Sequence, residues 1–379
     1  MSQYATDTAN KGFRAMYHGV FGGMSAARAK ELAIGILVLF VAGTTLWYSP
    51  AFLKPYNIHN LLQRIGMFGI FSIGMGLIII TGGIDLSVGS VFALQGVFLS
   101  LMVEGGIWPR PFTRFTGNPW SWPLACLVAI AIPTMIGLFH GLVITRVKLQ
   151  PFIVTLCGYL WYRSLARTVV DDQTQGFSSD SSQALKDFVT RDFLGMPCSF
   201  VALIIVAIVV GILLHRSVWG RYLYAVGRNE EAARYSGINS NRMVASAYVI
   251  AGVLVGIAGI FIAVDAESVA PATHANAYEL YAIAAAVLGG CSFSGGEGSV
   301  IGIILGTSLL ILLRNMVNLL GADTSTEGLV MGTVIFLGAL VDQLLTNRRK
   351  KSRVVFADAP AAPPMDFDVI TGSDSPKPS

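Results

Sequence analysis

The chain has 379 residues, of which 54% are hydrophobic and only 13% charged, with a mean hydropathy of +0.64 and a formal net charge of +4. Soluble domains carry roughly 25% charged residues, so the composition excludes an ordinary soluble globule and points to an all-α polytopic membrane protein. The slight positive charge indicates no nucleic-acid partner, because the basic residues follow the connections between apolar runs and form no patch.

In chain order, the cytoplasmic N-terminal segment 1–31 comes first. Its Phe13, Met16, Tyr17, Val20, Phe21 and Met24 fall at helical spacing and predict a helix on the inner membrane surface, which Gly22 and Gly23 weaken. No cleavable signal peptide is expected, since the first apolar run starts near Leu32 behind a long basic leader. Runs of spanning length follow at 32–48, 65–81, 85–102, 123–145, 152–170, 199–215, 243–264, 296–317 and 328–345. A tenth, 278–290, is short and ends in glycines, as a half-helix would. About ten segments put both termini on one side. Seventeen Lys and Arg then fall in the connections assigned inside and six in those outside, so the positive-inside rule makes both termini cytoplasmic. The organisation is thus a transmembrane domain at 32–346 and a basic, then Pro-rich, disordered cytoplasmic tail at 347–379.

Residues 81–93 read TGGIDLSVGSVFA, a glycine pair, one acid and small hydroxyls between two apolar runs. A carboxylate and a loosened backbone are costly in hydrocarbon and survive only inside protein or along a cavity. Gly82, Gly83, Asp85, Ser87 and Gly89 are therefore candidates for a translocation pathway. Asp85 has two readings, a cap accepting the exposed N–H groups of the following helix and a gating group. His140 reads as a satisfied packing residue. Pro151 in KLQPF suits the first turn of a helix, and Gln150 and Thr155 beside it join the pathway candidates. Arg163 and Arg167 should snorkel outward or meet the acidic outer segment 171–192.

The longest cytoplasmic connection, 216–242, contains GRNEEAARYSGI. Asn229 suits an N-cap, Glu230 and Glu231 the positive end of the dipole, Arg234 the last turn and Gly237 the left-handed position after it. The result is one short helix of about eight residues, roughly 12 Å long, which is either a solvated connector or a docking element for a soluble partner. Further on, GGCSFSGGEG places five glycines within ten residues, at 289, 290, 295, 296 and 298, and predicts an unwound junction. Gly290, Ser294 and Gly295 complete the pathway candidates, while Gly298, Gly302 and Gly306 repeat along one face as packing residues. The cysteines, Cys126, Cys157, Cys198 and Cys291, have neither paired nor metal-ligand spacing and read as packing residues. No lysine follows a glycine, so there is no GxxxxGK[ST] phosphate loop, and neither a nucleophile elbow nor an HExxH pair is present.

TGGIDLSVGS, QPFIVTL, GRNEEAARYSGI, YELYAIAAAVLGG and GGEGSVIG, in this order, resemble the permease subunits of bacterial ABC sugar importers of the ribose, xylose, arabinose and galactose group. The resemblance covers roughly 32–345. It implies a homodimeric, multi-pass permease of the bacterial inner membrane, embedded in the lipid bilayer and served by a periplasmic sugar-binding protein. ATP and Mg would be bound by a separate ATP-binding subunit, and this chain would hold no cofactor. By the same resemblance Arg228, Asn229, Glu230, Glu231, Ala232, Ala233, Arg234 and Gly237 form the coupling helix. The segment 108–122, Cys291 and the Pro-rich tail depart from the pattern. Few charged side chains besides Asp85 lie deep in the runs, which suits a neutral pentose or hexose. The rival expectation is an ion-coupled secondary transporter with Asp85 as carrier.

Overall fold

The structure, a computed structural model, describes residues 26–105 and 119–321, and beyond them Gly328, Leu329, Met331, Gly332, Thr333, Phe336 and Leu340. The expected surface helix near 13–24, most of 108–122, most of the run 328–345 and the tail 347–379 lie outside these residues.

Helices dominate. They are α1 (Ala26–Tyr48), α2 (Pro55–Ile80), α3 (Val88–Glu104), α4 (Trp122–Leu142, prolonged by a π turn at Val143–Val147), α5 (Pro151–Val169), α6 (Asp180–Val189), α7 (Cys198–Arg216), α8 (Val218–Arg228), α9 (Glu230–Tyr235), α10 (Ser240–Asp265), α11 (Tyr278–Leu288) and α12 (Val300–Leu319). Two short antiparallel ribbons complete the described residues, β1 (Gln175–Gly176) with β4 (Ser268–Val269) and β2 (Asp192–Phe193) with β3 (Met196–Pro197). Six helical stretches, within α1, α2, α4, α7, α10 and α12, are long and apolar enough to cross a membrane. The 17-residue α3 and 11-residue α11 are apolar but short, and α5 has spanning length but carries Arg163 and Arg167.

Burial sorts the helices into a centre and a rim. The apolar window of α2 is 89% buried and that of α10 78%, against 11% for α1 and 22% for α7, whose apolar faces look outward as lipid requires. Small residues allow the close approaches where no hydrophobic force draws helices together. Gly137 and Gly141 of α4 lie on the backbone of Tyr248 and Ala245 in α10, and Gly252 and Gly256 return the contact at Pro133 and Ile130.

The α2 helix starts ten residues before the predicted run at 65–81, because its first turns are polar yet partnered. Asn57 donates to the Phe52 carbonyl, Asn315 donates to Asn57, and Gln63 donates to Asp265. At this end of the bundle, remote from α9, Glu104 at the last position of α3 accepts from the amides of Ser178 and Ser179 and from the Ser178 hydroxyl. That carboxylate ties the β1–α6 segment to α3.

Candidate functional site

Both expected breaks are real, and they touch. The α2 helix ends at Ile80, Gly82 turns the chain at φ +82, and the backbone runs without helix until α3 begins at Val88. The second break, between α11 and α12, uses Gly290, Gly295, Gly296 and Gly298, all at positive φ. The Gly296 amide donates to the Ile80 carbonyl at 2.8 Å. Gly298 precedes α12 instead of sitting on its face as predicted; Gly302 and Gly306 do pack, on the Gly289 and Ala285 carbonyls of the α11 end.

At the first break the Asp85 side chain is buried and partnered. Its Oδ1 accepts from the Ser87 amide at 2.8 Å and the Ser87 hydroxyl at 2.7 Å, closing the turn into α3. These bonds close a local turn ahead of α3; the N-cap position is Ser87, whose own side chain makes no capping bond, so Asp85 is not the helix cap expected. Its Oδ2 lies 3.9 Å from Nδ1 of His140. His140 is fully buried inside the protein, with Nε2 3.0 Å from the Tyr162 hydroxyl, and its other ring nitrogen faces Asp85. Thr155 donates to the Ile84 carbonyl at 3.3 Å and to Pro151 at 3.0 Å, which anchors α5 on the break. Tyr248 brings a buried hydroxyl over Gly83 that has no partner among the described residues. Asp85, Ser87, Gly137, Tyr248 and Gly252 line a cavity of about 20 Å³, room for one water molecule.

A second polar group adjoins the start of α3. Gly89 faces α11, where any side chain would strike Glu279 Oε2 and the Ala275 carbonyl. Glu279, in the first turn of α11, is buried. Arg163 is buried too, and its Nη1 donates to the carbonyls of His274 at 2.7 Å and Pro271 at 3.2 Å. The expectation that Arg163 points outward is thus wrong, and Arg163 and Glu279 join Asp85 as the few buried charged side chains among the described residues. Glu279 was readable as the single acid in the apolar stretch YELYAIAAAVL. Arg167 behaves as expected, binding Asp172 of the acidic segment through two bonds of 2.6 and 3.1 Å. That guanidinium holds the Asp172 carboxyl below its ordinary range.

The connection 216–242 differs from prediction in having two helices. Ser217 caps α8 by accepting from the Gly220 amide, and Leu223 and Val226 bury its inner face. In α9, six residues long against the eight expected, Asn229 accepts from the Ala232 amide at 2.9 Å and Gly237 turns away at φ +83, as predicted, and Arg234 in the last turn also pairs with Glu230 at 2.7 Å. Ala233 is buried, while Arg228, Asn229, Glu230, Glu231, Ala232, Arg234 and Gly237 are exposed, together with Tyr235 at 92%. The α8 end meets both breaks. Gly227 abuts the Ile80 carbonyl and the Gly296 amide, Gly295 packs on the Gly227 carbonyl and the Gly82 amide, and the Tyr224 hydroxyl donates to the Gly298 carbonyl at 2.7 Å.

The predicted pathway residues therefore divide. Gly83, Asp85, Ser87 and Thr155 gather at the buried break; Gly89 sits with Glu279; Gly82 and Gly295 lie at the joint with α8. Gly290 lies against Lys30, and Gln150 and Ser294 are exposed, so the second glycine break does not share the Asp85 cavity. The four cysteines are free, with Cys198 and Cys291 buried and Cys157 exposed, which corrects the packing reading for Cys157.

Residues 57–339 match the family model described as branched-chain amino acid transport system, permease component. The chain is 35% identical to the ribose import permease protein of Bacillus subtilis over 84% of its own length and 92% of the relative's. It is 36% identical to the ribose import permease protein of Escherichia coli K12, over 82% and 92%, and 30% identical to the xylose transport system permease protein of Haemophilus influenzae, over 84% and 96%. No solved structure matches it.

Proposed function

Because the chain belongs to the transport-system permease-component family, we propose that it is the membrane-spanning permease subunit of an ABC importer, moving a monosaccharide across the bacterial inner membrane by alternating access. The relatives import ribose and xylose by their names, and a neutral pentose or hexose is the cargo inferred here. The observation that carries the reading is α9, an exposed capped helix whose supporting helix α8 rests by Gly227 on both breaks. Such an element is suited to sit in a groove of an ATP-binding subunit and to pass its motion to the breaks. That subunit would hold ATP and Mg, and a periplasmic sugar-binding protein and a second permease copy would complete the assembly. The breaks supply backbone groups and small hydroxyls to a sugar, with Gly82, Gly83, Asp85, Ser87, Gly89 and Thr155 along its route. Ten passes with both termini cytoplasmic put α9 on the inner side and the β1–β4 ribbon outside.

The test is uptake of ribose, xylose or fructose by vesicles holding this chain with its ATP-binding subunit and binding protein. Uptake should require ATP and both partners and survive collapse of ion gradients. Gradient-driven uptake by this chain alone would replace the reading with an ion-coupled carrier.

A further inference from the structure

Midway along the bundle the starts of two half-helices, α3 and α11, meet, and three buried polar side chains there keep unused hydrogen-bonding capacity. Glu279 is 6% exposed, His274 8% and Arg163 9%. The amides of Gly89 and of Glu279 itself approach the carboxylate, yet Glu279 Oε2, Arg163 Nη2 and His274 Nε2 make no hydrogen bond among the described residues. Leaving such atoms unpaired costs about as much as a lost hydrogen bond each, so a partner is called for. The three belong to one structure, since Arg163 holds the His274 carbonyl at 2.7 Å, and the next carbonyl, that of Ala275, lies with Glu279 Oε2 over Gly89.

The charges nearby decide what that partner is. Asp85 and Glu279 bring two negative charges; Arg163 brings one positive. Each helix start adds the equivalent of about half a positive charge. The sum is close to zero, so the site as a whole favours neither an anion nor a cation. What remains is one acceptor, one donor and an imidazole nitrogen that does either, the complement of adjacent hydroxyl groups. We infer that Arg163, His274 and Glu279 form a subsite for the hydroxyl groups of a neutral sugar within the permease, resting on the import reading above. The subsite is closed here, with the Ala275 carbonyl and Glu279 filling the space against Gly89. Ala275 at φ 52 and Ala277 at φ 64 hold left-handed conformations unfavourable to alanine. This strained loop of α11 is the segment whose movement opens the subsite.

The test uses the complete transporter in vesicles with ATP, its binding protein, and whichever of ribose, xylose and fructose the parent carries, alongside that sugar's monodeoxy analogues. The measured quantity is the ratio of uptake of each analogue to uptake of the sugar, in the parent and in Glu279→Gln, Glu279→Ala, Arg163→Lys and His274→Gln. Preferences of the binding protein are common to all and cancel. The parent should disfavour at least one analogue by about tenfold beyond its variants, as expected when a buried group loses its hydroxyl partner, and the variant at that group should lose this discrimination at that hydroxyl only. Uptake that falls equally for sugar and analogues in every variant overturns the subsite, because a purely structural role lowers both. Unchanged uptake in all variants overturns it as well. Should Glu279→Ala fail to fold, the three remaining variants read the same ratios. Absence of ATP-driven uptake of all three sugars by the parent overturns the import reading and takes the subsite with it.

Discussion

Asp85 shows how one carboxylate serves structure at a point where a membrane protein is locally unwound. Its Oδ1 holds the amide and hydroxyl of Ser87, and its Oδ2 faces His140. An amide at this position still accepts the two Ser87 bonds, whereas alanine leaves a buried N–H unpaired at a cost of about 1–3 kcal/mol. Asp85→Asn should therefore unfold in detergent within a few degrees of the parent and keep ATP-driven uptake, and Asp85→Ala should unfold markedly earlier. Calorimetry of both proteins decides it; an Asp85→Asn protein as unstable as Asp85→Ala would mean that the charge facing His140 matters more than the turn. Glu104 offers an independent check of the opposite end. Its carboxylate accepts from two amides and a hydroxyl, and bonds to a charged group contribute about 1.5–3 kcal/mol. Glu104→Gln should release the β1–α6 segment first, seen as faster amide exchange at Ser178 and Ser179.

Elements were legible in the sequence to the extent that punctuation marks them. Asn229, Glu230 and Gly237 announced α9 because capping chemistry is local, and the glycines at 82 and 289–298 announced the breaks. The α8 helix left no such mark. Its Leu223 and Val226 are buried by tertiary contacts, and its glycines look like breakers until Gly227 is seen against the Ile80 carbonyl. Arg163 was misplaced for a related reason: its partners lie across the fold, on a loop whose position no local pattern encodes. For α9 the prediction concerns docking. Glu231→Lys places a positive charge at the positive helix end, a dipole cost of only about 0.3–1 kcal/mol, and Gly237→Pro removes the residue suited to φ +83. Both should weaken binding of the ATP-binding subunit and uptake while leaving the helices inserted. Normal binding and parental uptake in both variants would remove α9 from the interface.

For the whole molecule, six helical stretches among the described residues are long and apolar enough to cross a membrane; the ten passes proposed above also count α3, α5, α11 and the apolar run at 328–345. On that proposal an even count would put Met1 and Ser379 on one side, and the distribution of Lys and Arg would make it the cytoplasm. A reporter active only in the periplasm should stay silent when fused after Leu345. Strong activity there would overturn the parity and the counting of α11 as a pass.

The joint at Gly227 has a consequence for re-engineering. Backbone rests directly on backbone among Gly227, Ile80 and Gly296, with no side chain interposed. At Gly227 the contact depends little on the rest of the sequence, and Tyr224 adds one side-chain bond to the Gly298 carbonyl, so few residues need to be kept when the exposed surface of this connection is changed. Exchange of residues 217–239 with the same stretch of a relative should hand the permease to a foreign motor without altering its sugar preference, provided that Gly227 and Tyr224 are kept.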